Sequence, residues 1–174
     1  LELLAVDDGG TVYVGDADGI VGLAPDGTPG AAWPVPAGRL VGTLEAGLVV
    51  LVPREGRASE LRAYGPEGRF LRTLGRPGEG PGEIKGPDGG LAVLSDGRIL
   101  VRDPGNARIQ VYAPEGTALE TWSIRGGFNT SNPLFRDRAD NVYTQILVDP
   151  RADVRDWVIG LVRIGPDGTP GDTL

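Results

Sequence analysis

Apolar residues run through this chain in short blocks of four to seven, cut by turn residues at close intervals. One cut recurs four times. Residues 24–28 read Ala-Pro-Asp-Gly-Thr, 65–69 Gly-Pro-Glu-Gly-Arg, 113–117 Ala-Pro-Glu-Gly-Thr and 165–169 Gly-Pro-Asp-Gly-Thr. The turn glycines Gly27, Gly68, Gly116 and Gly168 are 41, 48 and 52 residues apart. A strand-like run precedes each turn (Gly19–Leu23, Glu60–Tyr64, Arg108–Tyr112, Val158–Ile164) and another follows (Ala31–Val35, Phe70–Leu74, Leu119–Ile124, and Asp172–Leu174 at the end). These runs are rich in β-branched and aromatic residues, as strands are. Upstream of each lies a further pair of runs around Asp7–Gly10, Glu45–Gly47, Ser95–Gly97 and Asp137–Asp140. Asp-Gly and Gly-Gly supply the positive φ of two-residue hairpin turns. The prediction is four units of four short antiparallel strands, A-B-C-D in meander order.

Leu48–Val52 and Ile99–Val101 are continuously apolar rather than alternating, the signature of strands buried on both faces. Four-stranded sheets gain two buried faces by stacking around an axis. The expected fold is therefore an all-β β-propeller of about four four-stranded antiparallel blades, a single propeller domain over 1–174 with blades near 1–36, 37–84, 85–131 and 132–174. No segment shows a helical period.

Gly (29) and Pro (15) make up a quarter of the 174 residues, but they fall between apolar runs, as turn punctuation does. Net charge is −7, and Lys85 is the one lysine among 17 cationic residues. An acidic surface repels phosphate backbones, so nucleic acid is not an expected partner. There is no Cys and no His, which removes disulfides, thiolate metal sites, His-held zinc and a Ser-His-Asp triad. No apolar run reaches the ~18 residues of a membrane helix. Met is absent even at position 1, which leads to the expectation that a start and an export leader precede this stretch.

Residues 73–124 carry the most regular repeat: Gly78, Gly80, Pro81, Gly82, Glu83, then Asp96, Gly97, Val101, Asp103, then Asn106, Arg108, Ile109 and Val111. This resembles the NHL-repeat and bacterial six-bladed β-propeller families. Elsewhere in the chain the Asp/Asn-x-Arg element is mostly lost, and the resemblance rests on the shared turn and spacing. It implies a rigid binding platform, periplasmic, cell-surface or secreted in a bacterium. Six such blades need roughly 260 to 300 residues, so the expectation is a piece of a six-bladed ring. Its end blades would expose apolar faces prone to self-association.

Asp103 and Asn106 with Arg108 could form a polar cluster at the channel mouth, or simply a backbone-bonded turn beside the blade interface. Arg76, Glu79 and Glu83 sit in a Gly-rich stretch, Arg76–Lys85. Pro81 and two carboxylates make it a poor phosphate loop. It reads as an inter-blade connection whose carboxylates could meet a ligand. Asp16 and Asp18 have the spacing of a calcium-loop fragment, but Gly27 stands where a later acidic ligand is needed, and a strand turn suffices. Asn129, in a polar loop with Phe128, and Arg151, Arg155 and Trp157, in the longest B–C loop, are candidate partner contacts. All of these fall on one predicted face, formed by the B–C loops and the D-to-A connections.

The function expected is noncatalytic binding of a protein, peptide or carbohydrate on that face, with no catalytic residue, no metal site and no cofactor. The alternative is a metal-dependent propeller hydrolase of the sugar-lactone type. An RNA-binding propeller would need a basic face.

Overall fold

The computed structural model describes residues 2–16, 18–35, 40–44, 47–54, 58–65, 68–86, 90–123, 133–147, 159–164 and 170–173. They form a four-bladed β-propeller. Blade 1 is β1 (Glu2–Val6), β2 (Val12–Asp16), β3 (Gly19–Leu23) and β4 (Pro29–Trp33). Blade 2 is β5 (Leu40–Leu44), β6 (Gly47–Arg54), β7 (Ala58–Tyr64) and β8 (Phe70–Pro77), to which β9 (Glu83–Ile84) adds in parallel. Blade 3 is β10 (Leu91–Val93), β11 (Ile99–Asp103), β12 (Arg108–Tyr112) and β13 (Ala118–Trp122). Blade 4 is β14 (Leu134–Arg136), β15 (Val142–Leu147), β16 (Ile159–Ile164) and β17 (Pro170–Thr173). Each blade is a meander in chain order. The first strands β1, β5, β10 and β14 are innermost, with β5 touching both β1 and β10, and β10 touching β14.

The A–B turns of blades 1, 3 and 4 close as three-residue loops, not as the two-residue turns expected, whereas in blade 2 Leu44 pairs with Gly47. Leu94 N–H donates to Arg98 O at 2.8 Å and Gly97 N–H to Leu94 O at 2.9 Å. A type I turn followed by a left-handed residue gives this pattern. Ala24–Thr28 and Ala113–Thr117 repeat it between strands C and D. Asp140 (φ 61°) takes the left-handed place that Gly10 and Gly97 hold in blades 1 and 3, a conformation Asp tolerates better than most residues. The parallel strand β9 was not foreseen; it lies inside the stretch read as a plain connection.

Continuous apolar runs serve two interfaces at once. Leu48, Val50 and Val52 pack with Ile20, Val35 and Tyr64 between blades 1 and 2. Val49 and Leu51 on the other side pack with Leu91, Ile99, Val101 and Tyr112 between blades 2 and 3. Leu100, Ile109, Val111 and Trp122 meet Leu134, Val142 and Ile164 between blades 3 and 4. Each fully buried Val, Leu or Ile is worth about 1.5–3 kcal/mol, so these interfaces hold the fold. The inner strands approach closely: a Cβ at Gly42 would lie 2.5 Å from Val93 Cγ2. A charged side chain enters the interface between blades 3 and 4. Arg102 is 2% exposed and donates to Thr144 Oγ1 of blade 4 at 3.3 Å; burial pulls its pKa down to about 10, so it remains a cation at neutral pH. No helix among the described residues is long and apolar enough to cross a membrane.

Candidate functional site

The propeller has two loop faces, and the structure uses them differently. On the face of the B–C loops and D-to-A connections stands the Asp103 carboxylate, fully buried at the end of β11. Its Oδ1 accepts the Lys85 N–H at 2.7 Å, and its Oδ2 accepts Asn106 Nδ2 at 2.7 Å and Arg108 Nε at 2.9 Å. Asn106 Nδ2 also donates to Gly78 O at 3.0 Å, and an Arg108 amino group donates to Gly80 O at 2.6 Å and Glu83 O at 2.8 Å. The Gly-rich stretch leaving blade 2 is thus clamped to the turn of blade 3 through its carbonyls. Its N–H groups are also spent: Gly80 N–H binds Glu83 Oε2 at 2.8 Å and Gly82 N–H binds Gln110 Oε1 at 3.2 Å. No anion cradle is left. Asp103, Asn106 and Glu83 therefore meet in one bracket. Glu79 lies outside it, exposed and ion-paired to Lys85; the hydrogen bond from Lys85 lowers its pKa. Arg76 is exposed on β8. Asp16 ends β2 opposite Gly19, and Asp18 is exposed in the turn between them. Asn129, Arg151, Arg155 and Trp157 lie outside the described residues.

The opposite face, formed by the A–B and C–D turns, carries a cleft of about 760 Å³. That volume is in the range of ligand sites. Aromatic and aliphatic walls come from Tyr13, Trp33, Tyr64, Leu44 and Leu71; Asp7, Asp8, Asp96, Arg72 and Arg136 supply charge. The carboxylates are already engaged. Asp7 accepts Thr11 N–H at 2.9 Å and the Tyr13 hydroxyl at 3.2 Å. Burial alone would raise the Asp7 pKa; the bonds from Thr11, Tyr13 and Gly9 outweigh it and bring it below the ordinary value. Asp8 pairs with Arg136, and Asp96 accepts Arg98 Nε at 2.7 Å. Arg136 also donates to Asp140 Oδ1 at 2.9 Å, and Asp140 accepts the Ser95 N–H at 3.0 Å and its hydroxyl. This chain of contacts links blades 3, 4 and 1 around the channel mouth. Tyr64 is 3% exposed, and its buried hydroxyl has no hydrogen-bond partner among the described residues.

Sequence reading missed this face. A signal existed: Asp7-x-x-x-Thr11-x-Tyr13 in blade 1 recurs as Asp137-x-x-x-Asn141-x-Tyr143 in blade 4. The structure gives both the same lock, with the Tyr143 hydroxyl 3.2 Å from Asp137 Oδ2 and the Asn141 N–H 2.9 Å from Oδ1. Among the described residues no three carboxylates gather as a metal would require.

No family model and no curated protein matches the chain. Solved structures do. Virginiamycin B lyase of Staphylococcus aureus is 14% identical at a TM-score of 0.58, over 97% of this chain and 53% of that one. A protein of Bacteroides fragilis NCTC 9343, predicted to be exported, is 14% identical at 0.59, over 99% and 40%. Regucalcin of Agrobacterium tumefaciens C58, a calcium-binding protein, is 12% identical at 0.52, over 98% and 58%. The chain spans about half the length of these structures. At such identities the likeness is one of fold: this is a β-propeller with bacterial propellers as neighbours. The NHL-type resemblance rests on residues 73–124 and is matched by no family model.

Proposed function

We propose that this chain is a noncatalytic recognition propeller whose ligand sits in the A–B face cleft, and that the ligand is a carbohydrate. The observation that carries the reading is the cleft wall itself. Partly exposed Tyr13 and Trp33 offer flat apolar surfaces, while Arg72, Arg136 and Asp8 offer planar polar groups beside them. A sugar ring needs both, an apolar C–H face against an aromatic ring and hydroxyls against carboxylate and guanidinium groups. Three aspartates to two arginines in the wall suit a neutral ligand better than a nucleic acid. Engagement of Asp7, Asp8 and Asp96 by their own neighbours favours recognition over metal-dependent hydrolysis, which needs carboxylates free to converge on an ion. The NHL-type bracket at Asp103–Arg108 then acts as scaffold, and location outside the cytoplasm agrees with the predicted export of the Bacteroides neighbour.

The test is a glycan array followed by calorimetry on a bound sugar. Trp33→Ala is expected to weaken binding at least about tenfold with the fold retained, as loss of a central aromatic contact does. Peptide binding lost in the same variant would keep the cleft and replace the ligand class. Binding unaffected by Trp33→Ala would refute the site. A rise in melting temperature on calcium addition would favour the hydrolase reading.

A further inference from the structure

The charged groups of the A–B face cleft are not equally engaged. Asp7 is held by the Thr11 N–H and the Tyr13 hydroxyl, Asp8 by Arg136 and Asp96 by Arg98. Of the two cations in the wall, Arg136 is matched: its side chain is 17% exposed, and it pairs with Asp140 as well as Asp8. Arg72 differs. It is exposed on β8, and among the described residues its bond runs from a terminal amino group to the Pro114 carbonyl at 3.2 Å, with no carboxylate meeting its charge. The other N–H groups of its guanidinium are left to the cleft.

Strand register fixes where this cation stands. Arg72 pairs with Ala63, and Ala63 with Val49. Ala63 and Val49 pack in the cluster between blades 2 and 3, so Arg72 is directed to the same side. Its bond to Pro114, in the C–D turn of blade 3, holds the guanidinium across that seam. The aromatic wall stands at the other seam of blade 2. Trp33 of blade 1 lies against the C–D turn of blade 2, where a Cβ on Gly68 would be 3.3 Å from Trp33 Cα. Leu44, Tyr64 and Leu71 of blade 2 line the cleft as well. The cleft thus offers an apolar wall on one side of this blade and an unmatched guanidinium on the other. A guanidinium is a planar fork of donors that matches a carboxylate with two parallel hydrogen bonds.

We propose that Arg72 is the specificity-determining residue of this cleft and that the glycan it selects carries a carboxylate, as a hexuronic or a sialic acid does. The inference rests on the carbohydrate reading of the cleft. Three aspartates against two arginines repel a polyanion, but a single carboxylate needs only one unmatched cation where it docks. The rest of the ligand is uncharged and meets Trp33 and Tyr13. Packed sheets stand about 10 Å apart, more than the width of one pyranose ring, so a ligand that touches Trp33 and Arg72 together is an oligosaccharide.

Calorimetry tests this with a hexuronic-acid oligosaccharide, a sialic-acid oligosaccharide, the methyl ester of each, and a neutral hexose oligosaccharide. The esters keep shape and hydroxyls and lose the charge. One acid is expected to bind at least about tenfold more tightly than its ester, with an affinity that falls as salt rises. Which acid does so names the source of the carboxylate. Arg72→Gln should bring that acid down to the level of its ester and leave the ester unchanged, while Arg72→Lys keeps part of the difference. Trp33→Ala should weaken acid and ester alike. Circular dichroism and the thermal transition check that each variant still folds. Acids and esters bound equally overturn the inference, and so does a preference for the acid that survives Arg72→Gln. In either case Trp33-dependent binding of the ester or the neutral oligosaccharide leaves the carbohydrate reading standing. Binding of none of these probes overturns both.

Discussion

A single buried carboxylate, Asp103, ties three segments together: the turn after β11, the start of β12 and the connection from blade 2. Its partners Asn106 and Arg108 were legible in the sequence as a local turn group, because they sit within five residues of it. Their other partners were not. The carbonyls of Gly78, Gly80 and Glu83 lie 25 to 28 residues away, and only the stacking of blade 2 on blade 3 brings them within reach. Asp103→Ala removes the acceptor of the Lys85 N–H and one acceptor each from the Asn106 amide and the 14%-exposed Arg108. Breaking a buried pair in this way typically costs about 3–5 kcal/mol. Urea denaturation should show a lowered midpoint with an unchanged slope, and Asp103→Asn should lose less than Ala because it keeps an acceptor oxygen.

Among the elements, the A–B hairpins decide how the channel mouth is shaped and how it responds to acid. In blades 1 and 4 an aspartate opens the turn, accepts backbone N–H groups across it and takes a tyrosine hydroxyl from the next strand. The side-chain bond from Asn141 leads in pulling the Asp137 pKa down, and with the bonds from Ala139 and Tyr143 it outweighs burial, which acts in the raising direction. For Asp7 burial acts first, in the raising direction, and the hydrogen bonds prevail. Both carboxyls therefore titrate below their ordinary value of 3.8 in the folded protein. A depressed carboxylate contributes stability that is present above its unfolded pKa and is lost as pH falls through the folded one. Melting temperature should be flat from neutral pH to about pH 5 and fall below pH 4. Asp7→Asn together with Asp137→Asn should flatten that acid limb in a pH series of thermal melts. The turn positions themselves were legible, since Gly and Asp-Gly punctuation is local chemistry. The three-residue form was not, because it depends on which flanking pair closes the ladder.

At the scale of the whole molecule, cover on both faces separates the middle blades from the outer ones. β6, β7, β11 and β12 hold most of the fully buried apolar residues. Blades 1 and 4 each have one face sealed by apolar packing and one face with partly exposed side chains. Amide exchange followed by mass spectrometry should find the slowest protons in β6, β7, β11 and β12. Blades 1 and 4 should open earlier, since regions with fewer buried apolar contacts open at lower free energy. Uniform protection across all four blades would contradict this reading of the packing.

Strand order, meander topology and the two-faced burial of Leu48–Val52 and Ile99–Val101 came from the chain alone, because side-chain alternation and turn chemistry act over a few residues and repeat with the blade. Which face holds an open cleft, which carboxylates are already paired and which blade faces lack full cover depend on how far each sheet is rotated against its neighbour. That rotation is set by packing between residues tens of positions apart, such as Gly42 against Val93 or Arg136 against Asp8, and local pattern carries no record of it.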